Sequence, residues 1–348
     1  MVRRLLFASV AFAPVVILTH YLFHPPETLE FVLAAAALIP LAWLIGEATE
    51  HAAEHTGPGI GGFLNATFGN APELIIALFA VNAMEFDVVR GSLTGSVVGN
   101  LLLVLGFSLL FGGRGEIDRK SSFLSIGLVA ITTLLLLITS IPSWEGDPER
   151  DTLAHLSVPV SIVLLVVYIG VTWYSLRRHA ALHTSSDEEI EGWSLRLALV
   201  VLGLATVVTA LVAEILVGSI NTFAEDSGIS EFFLAAVVIA IVGNAAEHGG
   251  AVVVAHRGKI KLAAEIALSS SAQVAVFLIP AVAILALLIE PLSLAMRPVE
   301  IAALAASVLI TSVLLVDGRS SRLKGVILIV AYVGIAIGFF LAGERQPY

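Results

Sequence analysis

Apolar runs long enough to cross a bilayer recur along this chain from one end to the other, and no other feature restricts its fold so strongly. A helix needs about 20 predominantly apolar residues to span a hydrocarbon core about 30 Å thick. Runs of that kind are predicted near residues 5–22, 29–47, 60–82, 91–111, 123–141, 155–176, 195–217, 231–255, 263–288, 299–316 and 324–342, eleven in all. In lipid every backbone polar group must be satisfied inside its own segment, so the expected fold class is an all-α polytopic membrane protein. Composition agrees, with 58% hydrophobic and 13% charged residues, where an ordinary soluble domain carries about 25% charge. This excludes a disordered chain and argues against a soluble enzyme. A formal net charge of −10 leaves no basic footprint for nucleic acid. The absence of cysteine excludes disulfides, thiolate metal sites and Cys nucleophiles.

The first run follows Arg3-Arg4 and contains Ala11-Phe12-Ala13, which has the form of a cleavage triplet. Its apolar character continues through Leu22, so a retained helix is expected rather than a signal peptide. Positive charge sets the orientation. With the N-terminus in the cytoplasm, 14 of the 18 basic residues fall on the cytoplasmic side, and only Arg90, Arg150, Arg297 and Arg345 lie opposite. An odd number of spans then puts the C-terminus outside. Arg outnumbers Lys 14 to 4 and Ala is abundant, a bias that suggests a GC-rich prokaryote and hence the plasma membrane.

The chain also repeats itself. Gly69-Asn70-Ala71-Pro72-Glu73 recurs 174 residues later as Gly243-Asn244-Ala245-Ala246-Glu247. Upstream, Ala53-Glu54-His55-Thr56-Gly57 matches Ala224-Glu225-Asp226-Ser227-Gly228; downstream, Gly95-Ser96 and Asn100 align with Leu268-Ser269 and Gln273. The expected organisation is an extra N-terminal helix (1–28), a five-helix repeat (29–178), a polar cytoplasmic linker (179–193) and a second repeat (194–348). Five is odd, so the second repeat enters the membrane inverted. Inverted repeats are a recurring transporter architecture, with the substrate held between them near the midplane. The acidic run Asp187-Glu188-Glu189-Ile190-Glu191 reads as a solvated linker or a regulatory element.

Glu73 and Glu247 lie well inside apolar runs. A charge at mid-span costs about 2.5–3.5 kcal/mol on insertion scales, so two of them demand a compensating role. Either they are protonated groups hydrogen-bonded between helices, or they are functional; recurrence of the motif favours function. Asn70 and Glu73 are spaced i, i+3, as are Asn244 and Glu247, so each pair shares a helix face. Ser96 and Asn100, like Ser269 and Gln273, are spaced i, i+4. Carboxylates, amides and hydroxyls all offer oxygen, the donor set of a hard cation such as Ca²⁺. Gly69, Pro72 and Gly243 either break these helices and free backbone carbonyls or allow close helix packing. His248 is either an interfacial hydrogen-bonding side chain or a proton relay. Glu47, Glu50 and Glu54, with Glu225 in the repeated position, line a vestibule or form wetted helix ends.

These motifs resemble the cation/proton exchanger family of the calcium/cation antiporter superfamily. The carrying stretches are Leu64–Ala80, Gly95–Gly106 and Ile241–Pro280, and the likeness extends over most of spans two to eleven. The resemblance implies a Ca²⁺/H⁺ antiporter in which Glu73 and Glu247 bind the cation and carry protons. Asn70, Asn244, Ser96, Asn100, Ser269 and Gln273 would contribute to the site. Gly99 stands where relatives often carry serine. Sodium-coupled members usually place an extra acid where Asn100 and Gln273 stand here, which favours protons over sodium as the coupling ion. The residues support the same mechanism: two carboxylates in a dry site repel and titrate as a coupled pair. Ca²⁺ or two protons neutralise them, and competition at one site with alternating access gives exchange. No cofactor is expected; the partners are Ca²⁺, protons and the bilayer.

Two rivals come from other classes. His51-Ala52-Ala53-Glu54-His55 fits the H-x-x-E-H pattern of an intramembrane zinc protease. That pattern explains neither the repeat nor Glu73 and Glu247. A passive Ca²⁺ channel is the other, but five-span inverted repeats point to a carrier.

Overall fold

The computed structural model describes residues 7–180 and 192–345. Arg3, Arg4, the acidic run 187–191 and Tyr348 lie outside the described residues. The helices are α1 Phe12–Phe23, α2 Glu27–Phe68, α3 Ala71–Asn82, α4 Phe86–Gly112, α5 Arg119–Ser140 and α6 Asp151–Ala180 in the first part. The second part holds α7 Leu195–Gly218, α8 Ile220–Ser227, α9 Glu231–Gly243, α10 Ala245–His256, α11 Ile260–Ala286, α12 Pro298–Leu315 and α13 Arg322–Ala342. A short antiparallel pair, β1 Gly115–Glu116 with β2 Arg319–Ser320, joins two loops at one end of the bundle.

Among the described residues, eight helices are long and apolar enough to cross a membrane, and α8 with α9 forms one further pair bent by 114°. Eleven uninterrupted spans are therefore not what the chain forms. The helical segment Phe7–Phe23 is short, and the runs expected at 60–82 and 231–255 are broken. α2 is longer than one crossing needs. Its 42 residues would measure about 63 Å if straight. A Cβ built on Gly61 would lie 2.6 Å from the Ala53 carbonyl oxygen, yet residues eight apart on a straight helix stand about 12 Å apart. The chain doubles back between them, and the tail of α2 leads into α3.

The interruptions have local causes. Asn70 (φ −103, ψ 18) and Asn244 (φ −84, ψ 12) sit near the sparsely allowed bridge region, each directly before a new helix. Pro72 has no N–H to continue the α2 ladder, and the first helical turn is where proline is tolerated. In the second motif Ala246 replaces it, and Asn244 makes the break alone: its side-chain Nδ2 donates to Ala240 O at 2.8 Å. π-helical turns at Gly99–Val104, Leu234–Ile239 and Val274–Leu278 distort α4, α9 and α11. Such turns appear mostly inside α-helices and frequently at functional sites.

α4 and α11 form the centre, with 83% and 67% of their apolar stretches buried, while only 22% of that of α13 is covered. α4 crosses α9 at backbone contact: a Cβ on Gly95 would fall 2.0 Å from Ala236 O. Only a residue without a side chain permits that approach. α2 runs along α7.

Each end of the bundle is tied by its own contacts. At one end β1 pairs with β2, Lys261 meets Asp118 at 3.4 Å, and His55 bonds Trp193. At the other, buried Arg90 pairs with Asp87 and Glu149, both at 2.6 Å, and Arg297 donates to the carbonyls of Ala342 and Gly343. That end also holds a cavity of about 520 Å³ lined by acids including Glu85, Asp147, Glu231 and Glu344. Burial pushes the Glu344 carboxyl above the usual carboxylate range.

Candidate cation-binding site

The two motif acids occupy the first turns of α3 and α10, each just after a break. A helix N-terminus presents unpaired N–H groups and positive dipole, which favour an anionic side chain. Packing of α4, α9, α10 and α11 then gathers side chains from both halves around them.

Asn244 Nδ2 donates to Ser96 Oγ at 2.7 Å. Asn100 Nδ2 lies 3.1 Å from Asn244 Oδ1, 3.3 Å from Glu247 Oε2 and 2.9 Å from Ser270 Oγ. Ser270 Oγ itself donates to Glu247 Oε2. On the other motif, Asn70 Nδ2 approaches Gln273 Oε1 at 3.5 Å. Glu73 lies against the opposite break: a Cβ on Gly243 would stand 3.0 Å from Glu73 Cγ and 3.5 Å from its Oε1. Seven of the eight expected cation-site residues, Asn70, Glu73, Ser96, Asn100, Asn244, Glu247 and Gln273, thus fall in one contiguous cluster.

Ser269 stands apart, since its hydroxyl donates to Ile266 O of its own helix at 3.2 Å. Ser270 occupies the place next to the acid. The repeat carries a signal for it, because the offset of 174 that relates the two Asn-Glu motifs also pairs Ser96 with Ser270. Aligning Ser96 with Ser269 uses an offset one residue shorter.

Two buried oxygens in this cluster, Glu73 Oε2 and Asn100 Oδ1, have no hydrogen-bond partner among the described residues. A buried acceptor left unsatisfied costs about 1–3 kcal/mol, and more when charged. Two carboxylates, amides and hydroxyls with spare lone pairs make an oxygen-only set that suits a hard divalent cation. No group of three or more His, Cys, Asp or Glu that could hold a metal occurs among the described residues.

The remaining candidates lie elsewhere. His248 follows Glu247 on α10 and is half-buried. Glu50 and Glu54 are exposed in the second half of α2, before it doubles back. Glu225 is exposed on α8, whose Thr222 and Asp226 bond Glu27 and Thr28 at the far end of α2. The two sets of vestibule acids therefore mark opposite ends of the bundle. The H-x-x-E-H histidines do not converge: His51 Nδ1 lies 3.3 Å from Glu54, whereas His55 Nε2 bonds the Trp193 carbonyl at 2.7 Å.

The family model described as sodium/calcium exchanger protein matches residues 27–177 and 197–341. The chain belongs to that family. As a sodium/calcium exchanger family member it is 36% identical to the Ca(2+)/H(+) antiporter of Aphanothece halophytica, over 97% of this chain and 96% of that protein. It is also 36% identical to the Ca(2+)/H(+) antiporter ChaA of Bacillus subtilis (strain 168), over 97% and 99%. The solved structure of native YfkE superimposes with a TM-score of 0.84 at 34% identity, covering 97% of this exchanger and 99% of that chain.

Proposed function

We propose that this chain is a secondary transporter that exchanges cytoplasmic Ca²⁺ for protons by alternating access. One observation carries the reading: Glu73 packs on Gly243, in the break just before Glu247, within a set of oxygen donors in which Glu73 Oε2 and Asn100 Oδ1 are buried with no hydrogen-bond partner among the described residues. A cation or a proton satisfies such oxygens. The curated relatives named Ca²⁺/H⁺ antiporters, matched over nearly their full length, support the same activity. Ca²⁺ neutralises the two carboxylates, as do two protons, and the unneutralised pair is too costly to carry across. The ligands on this reading are Glu73, Glu247, Asn70, Asn244, Ser96, Asn100 and Gln273, with Ser270 in the role that the repeat alignment assigns to Ser269. Glu73 and Glu247 carry the protons, with His248 beside them.

Asn100 and Gln273 are neutral, so the site holds two charges, matched by one Ca²⁺ or two protons. Sodium coupling is the second reading, favoured only by the breadth of the family description. The decisive experiment is reconstitution in liposomes with a pH gradient and no sodium. Ca²⁺ accumulation driven by that gradient is expected; flux that appears only with sodium would select the second reading.

The topology proposed is eleven crossings, counting broken ones, with two inverted five-helix units (29–178 and 194–348) after the helix in 1–28. Contacts between loops support it. Loops expected inside touch one another, as in the β1–β2 pair and Lys261–Asp118, and loops expected outside do likewise, as in Arg90–Glu149 and Thr28–Asp226. The protein then lies in the plasma membrane with its N-terminus inside and C-terminus outside. The chain has no cysteine, so cysteines placed at His183 and after Tyr348 test this cleanly. The first should react only from the cytoplasm and the second only from outside; labelling of both from one side would break the topology.

A further inference from the structure

The H-x-x-E-H histidines of α2, which do not converge as zinc ligands, make a different set of contacts. His55 Nε2 is 2.7 Å from the Trp193 carbonyl. A carbonyl only accepts, so His55 must carry its proton on Nε2 and donate. One turn earlier, the His51 ring lies over the Trp193 indole, with centroids 5.1 Å apart and planes inclined by 31°. The Gly192 backbone presses on the same ring: a Cβ there would fall 2.6 Å from His51 Cε1 and Nδ1. Phe7 flanks the group, 4.9 Å from Trp43 and 6.0 Å from Trp193. Ser194, next in the chain, caps α7 through a bond from Leu197 N. Two histidines spaced i, i+4 on one helix thus grip the residues that open the second half.

The grip reaches the site through packing. Trp193 and Phe68 pack on one apolar cluster, which contains Leu44, Ala48, Ala71 and Leu202. Phe68 and Ala71 are the residues on either side of the Gly69-Asn70 break, and Glu73 follows two residues on. A close-packed cluster transmits displacement rather than absorbing it.

We infer that His51, His55 and the Gly192-Trp193 segment form a clasp that positions the Asn70 break, and through it Glu73, toward one side of the membrane. They are positioning residues, and the inference rests on the Ca²⁺ exchange proposed above. Because the clasp lies at one end of the bundle, its loss should alter Ca²⁺ access from that side alone.

The test uses the full chain in vesicles of both orientations, with Ca²⁺ as the probe. His55→Ala, which loses one hydrogen bond, should raise the Ca²⁺ KM at the cytoplasmic side by about two- to tenfold, and Gly192→Ala, which pushes a methyl against the His51 ring, should raise it as well. Maximal rate and the KM from the other side should stay unchanged. His55→Gln, which keeps an N–H donor, should restore the KM. Unchanged KM in both variants, an equal change on both sides, or failure of His55→Gln to rescue would each overturn the clasp. Absence of exchange in the unaltered protein would instead count against the proposed function. Trp193 fluorescence separates the two without transport, in a chain with Trp43, Trp144 and Trp173 replaced by Phe. Ca²⁺ should shift its emission, and Gly192→Ala should abolish that shift; a shift that survives Gly192→Ala would overturn the coupling.

Discussion

The two acid motifs are nearly the same in sequence and unequal in surroundings. Around Glu247 the chain supplies donors: Ser270 and Asn100 both donate to Oε2, and Ser96 and Asn100 hold Asn244. Around Glu73 the geometry differs: Asn70 reaches Gln273 at 3.5 Å, and Glu73 Oε2 is buried with no hydrogen-bond partner among the described residues. Strict pseudo-symmetry would send Ser270, the counterpart of Ser96, to the first motif. It turns instead to the second, so both serines serve the same half. A repeat therefore guarantees two carboxylates but not two equivalent ones. On the proposed reading Glu247 is then the anchored arm of the site and Glu73 the arm left for an incoming ion.

The most severe way to test that inequality is to neutralise each acid in turn. Glu73→Gln and Glu247→Gln should each lower exchange by more than about a hundredfold, because either leaves one negative charge where Ca²⁺ needs two. Flux near the unaltered rate in either variant, measured in liposomes with the protein still monodisperse, would remove that acid from the mechanism.

Next in size is the pH dependence. On the proposed reading Ca²⁺ binds the deprotonated pair, so affinity should fall as protons compete and level off once both carboxylates are ionised. Displacing two protons allows up to about a hundredfold loss per pH unit, and by linkage Ca²⁺ must release the same protons. Neutralising one acid should cut the slope to about tenfold. Asn100→Ala should weaken binding but keep the slope, since an amide holds no exchangeable charge. Calorimetry between about pH 5 and 9, in buffers of different ionisation enthalpy, counts the protons. Tight binding with none released would show that this pair is not the shared site.

A smaller effect separates adjacent serines. Ser270→Ala removes a hydrogen bond to a carboxylate, for which about 1.5–3 kcal/mol is typical, so Ca²⁺ affinity should drop by about tenfold or more. Ser269→Ala removes only a bond within its own helix and should leave affinity within about twofold. Equal effects of the two would refute the assignment of Ser270. The mildest contrast compares glycines. Gly243→Ala places a methyl 3.0 Å from Glu73 Cγ, whereas Gly46→Ala meets only Ala246 Cβ at 3.4 Å. The first should weaken Ca²⁺ binding severalfold through the open arm, and the second should be nearly silent in the same titration.

Much of this protein is legible in its amino-acid sequence. Hydropathy alone exposes the apolar runs, because lipid makes each one satisfy its own backbone. The cost of a mid-span charge singles out Glu73 and Glu247, and their recurrence 174 residues apart ties them to a repeat. The breaks are visible only in part. Pro72 marks the first, while the second is signalled only by the ambiguous Gly243 before Asn244, whose side-chain Nδ2 donates to the Ala240 carbonyl. The doubling back of α2 between Ala53 and Gly61 merges two expected spans into one helical segment. Hydropathy implies that reversal, since the runs at 29–47 and 60–82 are separate, but not that helical turns continue through it.

What tertiary structure alone decided is clearest in three consecutive serines. Ser269 donates to Ile266 O, Ser270 to Glu247 and Ser271 to Val97 O. Side chains on successive helical residues point about 100° apart, so at most one of the three points straight at the acid, and apart from the repeat offset that pairs Ser96 with Ser270 the local sequence is alike for all. Which one does so depends on how α11 is rotated against α4 and α10. That rotation is set by packing among residues far apart in the chain, and so the sequence determined that a hydroxyl would reach the site while the packing of the helices decided that it belongs to Ser270.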